Sequence, residues 1–145
     1  MDNYIKLEFL SLPVNISTAR SVAACFAAGA DPTLETIADV RTAVSEAVTN
    51  AVVHGYPDRI GRVTMECGLE SGMLTVTVSD TGCGIADVEQ AMQPFFTTGN
   101  EAERTGMGFA VMNAFMDMLE VKSSSGQGTV VTMKKYLAGK DQSAE

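Results

Sequence analysis

The chain has 145 residues, 46% of them hydrophobic and 19% charged, a composition that excludes a disordered segment and fits one folded domain with a sizeable core. Its formal net charge of −8 argues against direct binding to DNA or RNA, which needs a basic footprint, and permits a basic protein partner. No apolar run approaches the ~20 residues of a membrane span. The opening Met-Asp-Asn-Tyr-Ile-Lys lacks the pattern of a secretory signal, and Cys25, Cys67 and Cys83 form no C-x-x-C pair, so reduced thiols and a cytoplasmic location are expected. The single histidine, His54, cannot build a His-rich metal site by itself.

Ile5, Leu7 and Phe9 alternate with Lys6 and Glu8, which predicts a strand over residues 4–12. Asn15 or Ser17 is expected to cap a helix running through Arg20, Val22 and Phe26 to Gly29. Arg20 is the only basic residue between Leu7 and Val40. Asp31-Pro32 reads as a cap followed by proline at the first position of a long helix over 33–54. In that helix Val40, Ala43, Val44, Ala47, Val48 and Ala51 recur at spacings of three and four and form an apolar face. Thr42, Glu46, Thr49 and Asn50 stand on the other side, and Glu46 and Asn50, four apart, lie one turn apart on the same face. Taken alone, that pair reads as a solvated polar face. Gly55 is expected to stop the helix in a left-handed conformation, with Pro57 and a turn-rich connector over 56–61 beyond it.

Val63, Met65, Cys67 and Leu69 mark a second strand, Ser71-Gly72 a hairpin turn, and Leu74, Val76 and Val78 the return strand, which ends at Ser79-Asp80. Asp80-Thr81-Gly82-Cys83-Gly84-Ile85 then sets a carboxylate at a strand end, before a loop that lacks Cβ atoms at two places; by itself it reads as a tight turn. A short helix over 86–92 and a polar, mobile loop over 95–105 lead to Thr105-Gly106-Met107-Gly108-Phe109, which opens a helix through Met112, Phe115 and Met116. Strands over 118–123 and 129–135 flank a turn, giving a single domain over residues 1–136 and a polar tail over 137–145.

Four patterns therefore stand in order: E-x-x-x-N on a helix, D-x-G-x-G after a strand, G-x-G opening a helix, and Gly128-Thr129 beginning the last strand. Their chemistry is mutually consistent. A glycine-bearing helix N-terminus offers backbone N–H groups to phosphate. A strand-end carboxylate can accept from an adenine amino group, and an amide oxygen can hold Mg²⁺, a hard cation. A carboxylate one turn away can orient or deprotonate a hydroxyl. Neither the P-loop pattern nor the Rossmann glycine pattern is present.

Ser45-Glu46-Ala47-Val48-Thr49-Asn50-Ala51, Asp80-Thr81-Gly82-Cys83-Gly84-Ile85, Pro94-Phe95-Phe96, Thr105-Gly106-Met107-Gly108-Phe109 and Gly128-Thr129 resemble, in order and over nearly the whole chain, the boxes of the GHKL ATPase/kinase superfamily. Among its members the resemblance is strongest to the small anti-sigma serine kinases of spore-forming bacteria. It implies a Bergerat fold, an α/β (α+β) two-layer sandwich with helices on one face of a mixed, mostly antiparallel sheet, and ATP/ADP with Mg²⁺ in the cleft between helices and lid. On this resemblance Glu46 is the catalytic base, Asn50 the Mg²⁺ ligand and Asp80 the adenine-reading carboxylate. Gly82, Gly84 and Ile85 shape the pocket wall. Thr97, Thr98, Thr105, Gly106, Met107, Gly108 and Phe109 meet the nucleotide, chiefly at its phosphates, and Thr129 sits near the adenine. Arg20 is placed among partner contacts, while His54 and Cys83 are given packing roles only. Arg104 is read from the sequence instead: it is the single basic residue from Val63 to Val121, directly before the phosphate-binding turn, and is expected to sense the terminal phosphate. The function implied is an anti-sigma factor and protein serine kinase. It would be a homodimer that binds a sporulation sigma factor of the sigma F type and phosphorylates a serine of an anti-anti-sigma partner. The alternatives are a nucleotide-switched binding module without kinase chemistry and the related general-stress anti-sigma kinase.

Overall fold

The structure, a computed structural model, describes residues 1–92 and 108–137. Strands β1 (Asn3–Leu10), β2 (Arg62–Glu70), β3 (Met73–Asp80), β4 (Met118–Ser123) and β5 (Thr129–Tyr136) form one sheet in the order β1-β2-β3-β5-β4. Helices α1 (Val14–Ala28), α2 (Leu34–Thr49), α3 (Val88–Ala91) and α4 (Gly108–Phe115) complete the described fold. All four strand pairings are antiparallel, so the antiparallel majority expected of the sheet is the whole of it among the described residues.

Strand periodicity of two decides which side chains the helices cover. Val63, Met65 and Cys67 of β2, Leu74, Val76 and Val78 of β3, and Val131 and Met133 of β5 are buried in one cluster with residues of α1, α2 and α4. The intervening positions, such as Thr64, Glu66, Thr75 and Thr132, point to the opposite face. The result is two layers around one core. On α2 the predicted apolar face is realised, with Val40, Ala43, Val44, Ala47 and Val48 all buried. Ala19, Ala23 and Ala27 of α1 are buried as well, and such small side chains let α1 lie close against α2. The β2–β3 hairpin turns at Ser71 (φ 50°) and Gly72 (φ 79°), the two positive angles that a two-residue type I′ connection requires.

The helix starts differ from expectation. Neither Asn15 nor Ser17 caps α1: Pro13 holds the N-cap position, and the Asn15 amide donates back to the Leu10 carbonyl at 2.9 Å. The cap of α2 is Thr33, whose hydroxyl accepts from Thr36 N–H at 3.1 Å, while Asp31 takes a left-handed φ of 53°. From Asn50 to Gly55 the helix widens into a π-helical segment, a local form that recurs at functional sites. Gly55 ends it without a left-handed angle. Leu137, assigned above to the tail, is buried and donates its N–H to the Gly72 carbonyl at 2.7 Å. The consequence for function lies in the β3–β5 register, which pairs Asp80 with Thr129 at the end of the sheet that faces the π-helical segment.

Candidate functional site

A cavity of about 600 Å³ opens between the second half of α2 with its π-helical extension, the loop after β3, and the start of α4. That volume suits a nucleotide-sized ligand. Val78 and Val131 of the sheet form its floor.

Asp80 marks one end. It is 7% exposed, and its Oδ1 accepts from the Gly82 N–H at 2.9 Å. Burial pushes its carboxyl above the usual carboxylate range, while backbone N–H groups of Gly82 and Thr129 pull the other way. The backbone of Gly55 lies against this carboxylate so closely that an added Cβ would stand 2.9 Å from Oδ1. Gly55 is therefore required by contact with Asp80, 25 residues away, and not by helix termination. The loop closes on the same residue: Cys83 N–H donates to the Gly55 carbonyl at 2.9 Å. Gly84 has φ 73°, and a Cβ there would meet the Ser124 carbonyl at 2.0 Å. Ser123 ties the far side together, accepting from Ile85 N–H and donating to the Gly128 carbonyl, each at 2.8 Å, with Thr129 Oγ1 also at 2.8 Å.

The other end holds Glu46 and Asn50. A Cβ built on Gly108, the first residue of α4, would lie 3.3 Å from both Glu46 Oε2 and Asn50 Nδ2. A carboxylate and an amide thus converge on the first described residue of α4. Burial pushes the Glu46 carboxyl up. A glycine-bearing helix start offers free backbone N–H groups and a dipole that attract an anion, the role the sequence leads one to expect of the segment running into Gly108. Among the described residues no group of three or more His, Cys, Asp and Glu could hold a metal ion. The hard oxygens present, those of Asn50 and Glu46, fit a Mg²⁺ that takes one or two protein ligands and completes its shell with phosphate and water. The arrangement can accept from an exocyclic amine at one end, bind phosphates at the other, and take up a proton beside them.

Glu46, Asn50, Asp80, Gly84, Ile85, Gly108, Phe109 and Thr129 all line this cavity, and Gly82 shapes it through its contact with Gly55. Arg20 lies on α1, outside the lining. Thr97, Thr98, Arg104, Thr105, Gly106 and Met107, with the Pro94-Phe95-Phe96 box, lie outside the described residues. His54 and Cys83, assigned only packing roles above, are part of the cavity wall, and the Cys83 thiol donates to the His54 carbonyl at 3.1 Å. Their places inside or beside the boxes were the available signal. Gln90 also lines the cavity, from a four-residue helix that carries no distinguishing pattern.

Residues 9–135 match the family model of the histidine kinase-like ATPase domain. The anti-sigma F factor of Thermoanaerobacter sp. (strain X514) is 55% identical over 135 residues, 93% of this chain and 94% of that protein. The chain belongs to the anti-sigma F factor family, within the histidine kinase-like ATPases. Within this family the anti-sigma F factor of Clostridium acetobutylicum is 49% identical over 138 residues, 95% of this chain and 96% of that protein. The fold is shared with a solved structure of the RsbU and RsbW domains of a Mycobacterium tuberculosis protein, at a TM-score of 0.67 and 20% identity over 93% of this chain and 32% of that longer one. Every cavity-lining residue of this family member falls inside the matched segment.

Proposed function

We propose that this chain is an anti-sigma factor and protein serine kinase: with ATP and Mg²⁺ bound it holds a sigma factor of the sigma F type, and it phosphorylates a serine of an anti-anti-sigma partner. The observation that carries this reading is the convergence of Glu46 and Asn50 on Gly108, at the opposite end of the cavity from Asp80. In the step proposed, the partner serine oxygen attacks the terminal phosphorus of ATP, the bond from that phosphorus to the ADP oxygen breaks, and the serine proton passes to Glu46. Mg²⁺, when bound, offsets the phosphate charge. A module that only binds would gain nothing from a carboxylate at this point of the cavity wall, so half-buried Glu46, whose charged form partial burial disfavours, supports chemistry over the binding-only alternative. Arg104 is assigned to the terminal phosphate, Arg20 to partner contact, and the working form to a homodimer.

The direct test mixes the protein, Mg²⁺ and γ-labelled ATP with a candidate anti-anti-sigma protein. Label on a partner serine is expected. ATP that binds without label ever reaching the partner would establish the binding-only alternative. Asn50→Ala should abolish the Mg²⁺ dependence of ATP binding. Because Asn50 is only half-buried at the cavity wall, its loss should leave the melting temperature within a few degrees of wild type. Nucleotide titration with and without Mg²⁺ checks this, and an undiminished Mg²⁺ effect removes Asn50 from the metal site. Arg20→Glu should weaken sigma-factor binding by roughly tenfold or more, as like charge across an interface costs several kcal/mol. ATP affinity should not change, since Arg20 lies outside the cavity lining. Unaltered partner affinity in a pull-down would return Arg20 to the solvated surface.

A further inference from the structure

We propose that Tyr56 is a positioning residue whose hydroxyl holds the Asp80–Cys83 loop in place and thereby sets which nucleotide base the site accepts. The inference rests on Asp80 as the base-reading group, and Tyr56 itself faces none of the nucleotide chemistry.

Tyr56 directly follows the π-helical segment and is 4% exposed. Its hydroxyl has one proton and two lone pairs, and all three are used. It donates to the Arg62 carbonyl at 2.7 Å, accepts from Thr81 N–H at 2.8 Å, and lies 3.1 Å from Thr81 Oγ1, which can donate to it. A buried tyrosine needs only one partner to be satisfied. This one takes the backbone N–H of the residue next to Asp80, across 25 positions of sequence. The ring that carries the hydroxyl is itself constrained. Gly61 lies so close that a Cβ there would be 2.2 Å from ring Cε1, and the Arg59 guanidinium stands 5.2 Å from the ring centre.

The loop is thus fastened to residues 55 and 56 at successive points. Tyr56 takes Thr81 N–H, and Gly55 takes Cys83 N–H while its backbone lies against the Asp80 carboxylate. Between these two fastenings Gly82 N–H fixes Asp80 Oδ1. A carboxylate discriminates between bases only while its oxygens stay aimed, because an amine donor and a carbonyl acceptor on a purine ring differ by the reversal of one hydrogen bond. Freeing the Thr81 peptide lets the strand end pivot and lets Asp80 meet either edge.

Tyr56→Phe removes one oxygen and keeps the ring. Its test is the affinity for ATP against that for inosine triphosphate, which carries an oxygen in place of the 6-amino group. The wild type should prefer ATP, and Asp80→Asn should collapse that preference; if it does not, the reading of Asp80 fails and the inference falls with it. Given that control, Tyr56→Phe is expected to lower the ATP preference roughly three- to tenfold, the size of one net hydrogen bond. Equal weakening of both nucleotides, with the preference intact, would show a purely structural tyrosine and overturn the proposal. Amide hydrogen exchange in the wild-type protein gives a second measurement that does not depend on how well the variant folds. The Thr81 N–H should exchange slowly without nucleotide, and exchange at the rate of an open loop would refute the clamp.

Discussion

Replacing Glu46 with glutamine is expected to leave ATP and the sigma factor bound while slowing phosphoryl transfer by ~10²–10⁴, the usual contribution of a positioned base. The amide matches the carboxylate in size, so Gly108 and Asn50 keep their neighbours. What it cannot do is accept the serine proton. Burial raises the Glu46 carboxyl pKa, and this carries two further consequences. Transfer by the wild type should decline on the acid side from a pH above the ordinary carboxylate range, because the base must be ionised. Stability should move in the opposite sense. A carboxyl whose folded pKa lies above its unfolded value keeps its proton in the native state over a range where the unfolded chain has lost it. Its contribution to stability therefore falls as pH rises through that range and remains lowered above it. At neutral pH, without nucleotide, the glutamine variant should melt no lower than wild type and somewhat higher. Single-turnover transfer and a thermal melt measure both effects. Transfer within a few-fold of wild type would leave positioning alone as the mechanism.

The parts of this site that were legible in the sequence are those whose geometry is local. Glu46 and Asn50 share a face because residues four apart on a helix do so, and the structure brings them to one point. Asp80 is expected at the end of the strand marked by Leu74, Val76 and Val78, and there it closes β3, with its side chain buried. What could not be read depends on pairs distant in sequence. Gly55 has the pattern of a helix stop, yet its missing side chain makes room for Asp80. Tyr56 belongs by pattern to a turn-rich connector, yet it is buried and bonded to Thr81 and Arg62. The apolar spacing of α2 runs through Ala51 without a break, so nothing in it announces the wider turn that begins at Asn50. The misassigned caps have a different origin. Asp31-Pro32 and Thr33 are competing start signals two residues apart, and the hydroxyl that reaches Thr36 N–H is the one that forms the cap.

Gly82→Ala should be severely damaging for a change of a single methyl group. Its added Cβ would stand 1.9 Å from the Gly55 carbonyl oxygen and 2.5 Å from the carbonyl carbon, both backbone atoms that cannot rotate away. Relief requires the loop and the π-helical segment to part. That movement breaks the Cys83 N–H bond to Gly55, withdraws the Gly82 N–H from Asp80 Oδ1, and lifts the Gly55 backbone off the carboxylate. Overpacking of this kind costs ~1–3 kcal/mol or more, which for a domain of this size lowers Tm on the order of 5–10 °C. Nucleotide affinity should suffer more than stability does, because every group displaced bears on the orientation of Asp80. Gly68→Ala is the matched control. It sits in β2 within the same sheet, and its Cβ would meet only the Met1 side chain, at 3.7 Å, so its melting temperature and ATP affinity should stay near wild type. Melting curves and ATP titrations of the two variants side by side decide the matter: a Gly82→Ala protein that binds ATP as tightly as Gly68→Ala would mean that the loop does not rest on Gly55 in the binding-competent state.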